Sequence, residues 1–345
     1  MAKTGRRSLW RVCSILLGQA GFTPARLRAA AGAAVLAGLL LVFVLLGAGC
    51  GTKPAALTVG LLPITDNLPF WVAEQKGYFR DAGVAVKFIS FPSAVERDSA
   101  FTAGQIDVAV GDLLAVAQMR QGGTKVKAIA LCQGVRPEEG RFAVLAAPGS
   151  GLRTVADLKN VPIACSLKTI NEYVLDRLLT AEGFKPEEIK KVAIPKIPVR
   201  LEALLNGTVK AAILPDPFAA LAEAKGARLI IDDTKSNISQ TVIIAREETI
   251  GRNLAGLKRL LTAYNRAVRD IQRDPTAQVP LLKEKARVPE PVLPGGRHGM
   301  KLIFSPAQLP APADVQAVVD WLTAKGILKA PVRYDDLVEK RVLGG

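Results

Sequence analysis

Between residues 57 and 245 the chain alternates short apolar runs with stretches in which apolar residues recur every three or four positions. The first kind reads as strands and the second as helices, with Gly, Pro, Asn or Asp at most joins. The pattern predicts strands over 57–63, 84–90, 107–110, 126–131 and 142–147, with helices over 69–76, 93–103 (capped by Ser93) and 112–121. After the break Pro148-Gly149-Ser150-Gly151 a second series begins. It has strands over 161–164, 189–193, 211–214, 228–231 and 239–245, and helices over 169–182, 199–206 and 217–225. Beyond it the chain is helical, most clearly over 254–273 and 314–325. Strands alternating with helices across short turns predict an α/β fold with largely parallel sheets.

One internal echo organises the two series. Ala103-Gly104-Gln105-Ile106-Asp107-Val108-Ala109-Val110 leads into Gly111-Asp112 and a helix, and Asn206-Gly207-Thr208-Val209-Lys210-Ala211-Ala212-Ile213 leads into Leu214-Pro215-Asp216 and a helix. A glycine suits the left-handed residue that ends a helix, and an aspartate suits the cap of the next. Both aspartates also stand at carboxyl ends of strands, where open α/β sheets bind ligands. Capping and ligand binding both remain open for them at this point.

The N-terminus has another character. Lys3, Arg6, Arg7, Arg11, Arg26 and Arg28 precede an apolar stretch that closes with Leu45-Leu46-Gly47-Ala48-Gly49-Cys50. A basic leader, an apolar run, small residues and a cysteine form the anatomy of a bacterial lipoprotein signal. Residues 1–49 are then a signal peptide, Cys50 the lipidation site, and 50–56 the anchor linker. The uncharged stretch 29–50 is also long enough for an uncleaved membrane helix. Arg6-Arg7 raises a twin-arginine export reading, although the pair stands far ahead of the apolar run. All of these readings put the bulk of the chain outside the cytoplasm, because the positive charge stays inside.

Charge and composition narrow the classes. The chain carries +15, and the leader's six Lys/Arg leave +9 for the remainder, a moderate surplus suited to solubility or an anionic membrane surface. No basic stripe interleaves with aromatics, so nucleic-acid binding is not expected. Cys132 and Cys165 each end an apolar run and read as buried strand residues, with a disulfide between them left open. One histidine, His298, and no CxxC leave no metal site to propose, and no cofactor is implied.

Several segments together resemble the solute-binding proteins of ABC importers, of the nitrate/sulfonate/taurine type that includes binders of thiamine pyrimidine precursors. They are Leu57-Thr58-Val59-Gly60; Phe70-Trp71-Val72-Ala73-Glu74-Gln75-Lys76-Gly77-Tyr78-Phe79-Arg80-Asp81-Ala82-Gly83-Val84; Ala103-Gly104-Gln105-Ile106-Asp107-Val108-Ala109; and Thr154-Val155-Ala156-Asp157-Leu158-Lys159. The likeness spans about 57–245. It implies a periplasmic-binding-protein type II bilobal clamp with two mixed, mostly parallel sheets. Lobe one would be 57–143 with 240–345 and its C-terminal helices, lobe two 144–239, and the strands 142–147 and 239–245 the crossovers. The partners so implied are a small-molecule solute, an ABC permease with its ATPase, and the membrane through the lipid anchor, for a monomer on the outer face of the cell membrane or in the periplasm.

By position, the resemblance makes Thr65, Asp66 and Asn67 in the loop after the first strand ligand-binding candidates, with Phe70 and Trp71 on the following helix, and Asp112. The second lobe adds Ser166, Lys168 and Thr169, at a strand-to-helix turn suited to an anion, then Asp216 and Phe218. Each has a plainer reading: Phe70 and Trp71 as core, Ser166 and Thr169 as caps. Three carboxylates would repel a bare oxyanion and suit a solute with a donor end, amino-sulfonate or aminopyrimidine in kind. The rivals are a membrane-attached pyrimidine-precursor enzyme of the same fold and a sensor or structural lipoprotein. The lone histidine and scattered cysteines argue against the enzyme, and no catalytic residue is assigned.

Overall fold

A computed structural model describes residues 56–236, 238–297 and 299–343. The leader, Cys50 and His298 lie outside the described residues. Among the described residues no helix is long and apolar enough to cross a membrane.

Among the described residues the apolar runs become ten strands in two five-stranded sheets. The first sheet begins with β1 (Leu57–Leu61), which pairs in parallel with β2 (Val86–Ser90) on one side and β3 (Val108–Gly111) on the other. β4 (Val126–Gln133) completes its first half. The second sheet holds β5 (Phe142–Ala146), β6 (Ile163–Cys165), β7 (Lys191–Ala193), β8 (Ala211–Pro215) and β9 (Arg228–Asp232). β10 (Thr241–Arg246) returns to the first sheet, antiparallel to both β3 and β4. The orders β2-β1-β3-β10-β4 and β7-β6-β8-β5-β9 match strand for strand. In each sheet the strand that carries the chain over from the other side is the reversed one, because β5 runs antiparallel to β8 and β9. The whole of β5 pairs in the second sheet, from Phe142↔Pro215 to Ala146↔Ala211.

Helices cover the sheets as the apolar periodicity requires. They are α1 (Leu68–Gln75), α2 (Tyr78–Asp81), α3 (Ala94–Thr102), α4 (Leu113–Gln121), α5 (Ile170–Ala181), α6 (Ile197–Leu205) and α7 (Phe218–Ala224). Then come α8 (Glu247–Arg252), α9 (Leu254–Arg273), α10 (Val279–Ala286), α11 (Pro312–Ala324) and α12 (Tyr334–Leu337). The short α2, α8 and α12 lack a periodic stripe of their own, which is why the pattern passes over them. The echoed glycines behave as expected: Gly104 and Gly207 both take the left-handed conformation, at φ +78° and +77°.

Three of the expected caps form. Ser93 Oγ accepts from Glu96 N at 3.2 Å, Asp112 Oδ1 from Ala115 N at 2.8 Å, and Thr169 Oγ1 from Asn171 N at 3.3 Å. The second half of the aspartate echo departs from this. Pro217 occupies the cap position of α7, and Asp216, one residue earlier, accepts from Ala220 N at 3.1 Å.

Helix α11 touches both sheets' layers. It packs on α4, while Trp321 Nε1 donates to Asp176 Oδ2 of α5 at 3.2 Å and the Trp321 ring meets Tyr173 edge-on.

Candidate functional site

The strand ends of the two sheets converge on a cavity of about 40 Å3, room for about three water molecules. From the first sheet's side come Ile64 and Asp66 of the β1–α1 loop, Arg97 of α3, Gly111 and Asp112 at the end of β3, and Thr241 of β10. Facing them are Ser166 after β6, Asn171 of α5, Ile197 of α6 and Pro215 at the end of β8. Backbone bonds cross between the halves, with Ile197 N donating to Pro92 O at 3.4 Å, and Gln118 Nε2 reaches Lys168 O at 2.8 Å.

Arg97 is the cation of the site, and it is 2% exposed. Its Nη1 donates to Val110 O at 2.7 Å and its Nε to Asp98 Oδ1 at 2.8 Å. Nη2 lies 2.8 Å from the same carboxylate oxygen but makes no hydrogen bond. A Cβ on Gly111 would stand 3.1 Å from that Nη2, so the glycine lets the guanidinium lie against the end of β3. Across the cavity Ser166 is 2% exposed and its Oγ has no hydrogen-bond partner among the described residues. A buried donor without a partner is costly and uncommon. Ser166 Oγ is one, and it shares a small cavity with the ion-paired Arg97.

Behind Ser166 a second arginine is fully buried. Arg200 Nη2 donates to Asn171 Oδ1 at 2.7 Å and its Nη1 to Ile194 O at 2.8 Å. Burial depresses its pKa to about 10. The Asn171 amide nitrogen donates to Thr169 Oγ1 at 3.2 Å.

Two carboxylates share the cavity. Asp66 accepts from Thr241 Oγ1 at 2.7 Å, and the Gln133 amide, with its nitrogen turned toward it, donates at 3.0 Å. Burial raises the Asp66 pKa despite the Thr241 bond. Burial lifts Asp112 to about 6, with Arg97 opposing and Asp98 adding. Below about pH 6 Asp112 takes up a proton and becomes a donor, so there it repels an oxyanion less than a fixed negative charge would.

The other expected residues lie elsewhere, each for a physical reason. Phe70 is fully buried, 5.3 Å centroid to centroid from Tyr264 and edge-on to Phe88 at 6.2 Å; it and Trp71 belong to the apolar core. Asn67, also fully buried, donates to Leu62 O and braces the loop. Thr169 caps α5 and donates to Ser166 O at 2.8 Å. Lys168 is exposed, in a left-handed conformation at φ +58°, and so is not the cavity's cation. Phe218 packs half-buried against the second sheet's cluster. Asp216 and Thr65 line a separate cavity of about 340 Å3. There Arg141 sits 3.7 Å from Asp216, 2.8 Å from Glu223 and 2.9 Å from Asp232. Burial lifts Asp216 to about 6, with Arg141 opposing.

Arg97, Asn171 and Arg200 escaped the sequence reading, though a signal existed. Arg97 interrupts the apolar stripe Ala94–Phe101, and Arg200 the stripe Ile197–Leu204. An arginine on a core-facing stripe is rarely buried without a purpose. The two cysteines are free buried thiols in different sheets, so the disulfide does not form.

Similarity to known proteins agrees with this geometry. A family model described as NMT1/THI5 like matches residues 64–278. The Escherichia coli (strain K12) "Putative aliphatic sulfonates-binding protein" is 26% identical over 262 residues, 75% of this chain and 80% of that one. The alkanesulfonate-binding protein from Xanthomonas axonopodis pv. citri, solved bound to MOPS, superposes with a TM-score of 0.71 at 21% identity, over 84% of this chain and all of that one. The periplasmic nitrate-binding protein from Synechocystis PCC 6803 gives 0.69 at 14% identity, over 84% of this chain and 87% of its own.

Proposed function

This chain belongs to the NMT1/THI5-like family, and from that premise we propose that it is the extracytoplasmic solute-binding component of an ABC importer. It captures a small acidic solute, sulfonate-like in its head group, by closing two lobes around it. The single observation that carries this reading is that the buried cation Arg97, ion-paired to Asp98, and the buried Ser166, whose Oγ has no hydrogen-bond partner among the described residues, line one cavity from opposite sheets. An acceptor held by both stabilises the closed state over the open one, which is how a ligand shifts a clamp's population. The names of the similar proteins support the same solute chemistry.

The division of labour follows from position. Lobe one is 57–141 with the strand β10 and the C-terminal helices, and lobe two runs from β5 to the end of β9. The protein acts by capture rather than catalysis, as a monomer tethered through lipid on Cys50, and hands its solute to a permease driven by an ATPase. An amino-sulfonate such as taurine fits with its amine toward Asp66 or Asp112, and an aminopyrimidine remains the alternative solute.

Thermal-shift screening against alkanesulfonates, taurine, nitrate and aminopyrimidines, followed by isothermal titration, tests the reading. Sulfonates should stabilise the protein, and Arg97→Met should weaken them about ten- to a hundredfold, the worth of a charged hydrogen bond. Stabilisation by aminopyrimidines alone, with Arg97→Met indistinguishable from wild type, would sink the acidic-solute reading.

A further inference from the structure

Helix α9 divides its residues between two faces. Leu257, Leu261, Tyr264, Val268 and Ile271 are buried in the apolar core beside the first sheet. The other side carries Lys258, Arg259, Arg266, Arg269 and Arg273, and all four arginines are exposed. Steps of seven, three and four residues keep the arginines on one side of a helix. From Lys258 to Arg273 the stripe runs about 22 Å at the usual rise per residue.

Little on α9 neutralises this stripe. Its one acidic residue, Asp270, lies 3.5 Å from Arg273 but is already bonded by Lys76 Nζ at 2.9 Å and by the Tyr78 hydroxyl. Arg266 pairs with Asp81 at 3.1 Å, whereas Arg259 Nη1 donates to an uncharged group, Gly83 O, at 3.2 Å. Arg269 has no partner among the described residues.

Position is the second observation. Leu57 N, at the start of β1, donates to Ala85 O at 2.9 Å, and Arg259 reaches Gly83 in the same link between α2 and β2. The point where the chain enters the first sheet therefore adjoins one end of the stripe. On the lipoprotein reading above, lipid sits on Cys50, and residues 50–56 span at most about 24 Å. So short a tether keeps this side of the protein close to the bilayer. Helix α9 contributes no residue to the cavity that holds Arg97 and Ser166.

We propose that the exposed face of α9 is a membrane-contact surface, seated on the anionic head groups of a phospholipid bilayer. The proposal rests on the tethered, extracytoplasmic reading above and adds the face that the protein turns to the membrane. Because the core occupies the apolar side of α9, the helix has no apolar face left to insert among acyl chains. The attraction is electrostatic alone, supplied by the surface potential of anionic lipid and screened by salt.

The chain from residue 54 onward forms a compact unit of its own and carries no lipid, so co-sedimentation with vesicles reads the surface by itself. Vesicles of phosphatidylcholine alone should leave it in solution. Vesicles with about one-third phosphatidylglycerol should bind it at about 50 mM NaCl and release it at about 500 mM. Arg259→Gln/Arg269→Gln/Arg273→Gln should weaken that binding about a hundredfold, at about fivefold for each charge near the surface. Lys190, Lys210 and Lys225 are exposed on the second sheet's side. Replacing those three by Gln should change binding by less than about threefold, because charges beyond a Debye length of the bilayer are screened. Melting curves establish that both triple variants fold. No binding of the wild-type chain to the phosphatidylglycerol vesicles, equal losses in the two variants, or equally tight binding to soluble polyphosphate would each overturn the proposal. Palmitate labelling of Cys50 tests the tether separately, since the vesicle assay uses no lipid anchor.

Discussion

Arg200, fully buried beneath the cleft, donates its Nη2 to Asn171 Oδ1 at 2.7 Å, and Asn171 lines the cavity. A charge that water cannot reach holds in place an amide on the binding surface. Asn171→Ala leaves the guanidinium short of an acceptor and should cost about 1.5–3 kcal/mol in urea denaturation. Adding Arg200→Met to that variant should recover part of the loss, because the uncompensated buried charge goes with it. A double variant as unstable as the sum of the two single ones would show that the pair does not interact.

Asp112 makes stability depend on pH. Burial lifts its folded pKa to about 6 from the ordinary 3.8. The folded state therefore keeps a proton that the unfolded chain has lost, and stability falls as pH rises through that window, with the full penalty present above the folded value. Asp112→Asn keeps a side chain that caps α4 comparably and removes the penalty. Above pH 6 it should be more stable by up to about 3 kcal/mol, with a shallower decline of stability across the window. Denaturation curves at several pH values check this, and a slope identical to wild type would mean Asp112 stays ionised throughout. An anionic solute should also bind the variant more tightly at pH 8.

Phe70 separates packing from recognition. Its ring meets Phe79, Phe88 and Tyr264. Phe70→Ala should destabilise by about 3–5 kcal/mol, as for a large aromatic deleted from a core. Phe70→Leu should lose less stability and keep solute affinity near wild type by titration. A selective loss of affinity in the leucine variant would return Phe70 to the binding surface.

The lipoprotein reading rests on one thiol. Cys50→Ser should abolish palmitate labelling and move the protein out of the membrane fraction. Equal label in wild type and variant would favour an uncleaved anchor helix instead.

The α/β architecture was legible because it depends on local pattern. Apolar runs such as Val108–Val110 and Ala211–Leu214, punctuated by Gly104 and Gly207, predict strands and turns without reference to distant residues. Three helix caps were legible for the same reason, since Ser93, Asp112 and Thr169 bond within a few residues of themselves. Asp216 shows where local analogy stops. Its echo of Asp112 is real in sequence, yet Pro217 takes the cap position and Asp216 joins Arg141, which lies 75 positions earlier in the chain, at 3.7 Å. Which of two aromatic neighbours is core, which lysine or arginine is buried, and which hydroxyl lacks a partner all depend on what packs against them from far along the chain. Lys168 and Arg97 both carry positive charge, and packing buries Arg97 while it leaves Lys168 in solvent. Burial is a sum over distant contacts, so the cation of the site was chosen by the tertiary fold.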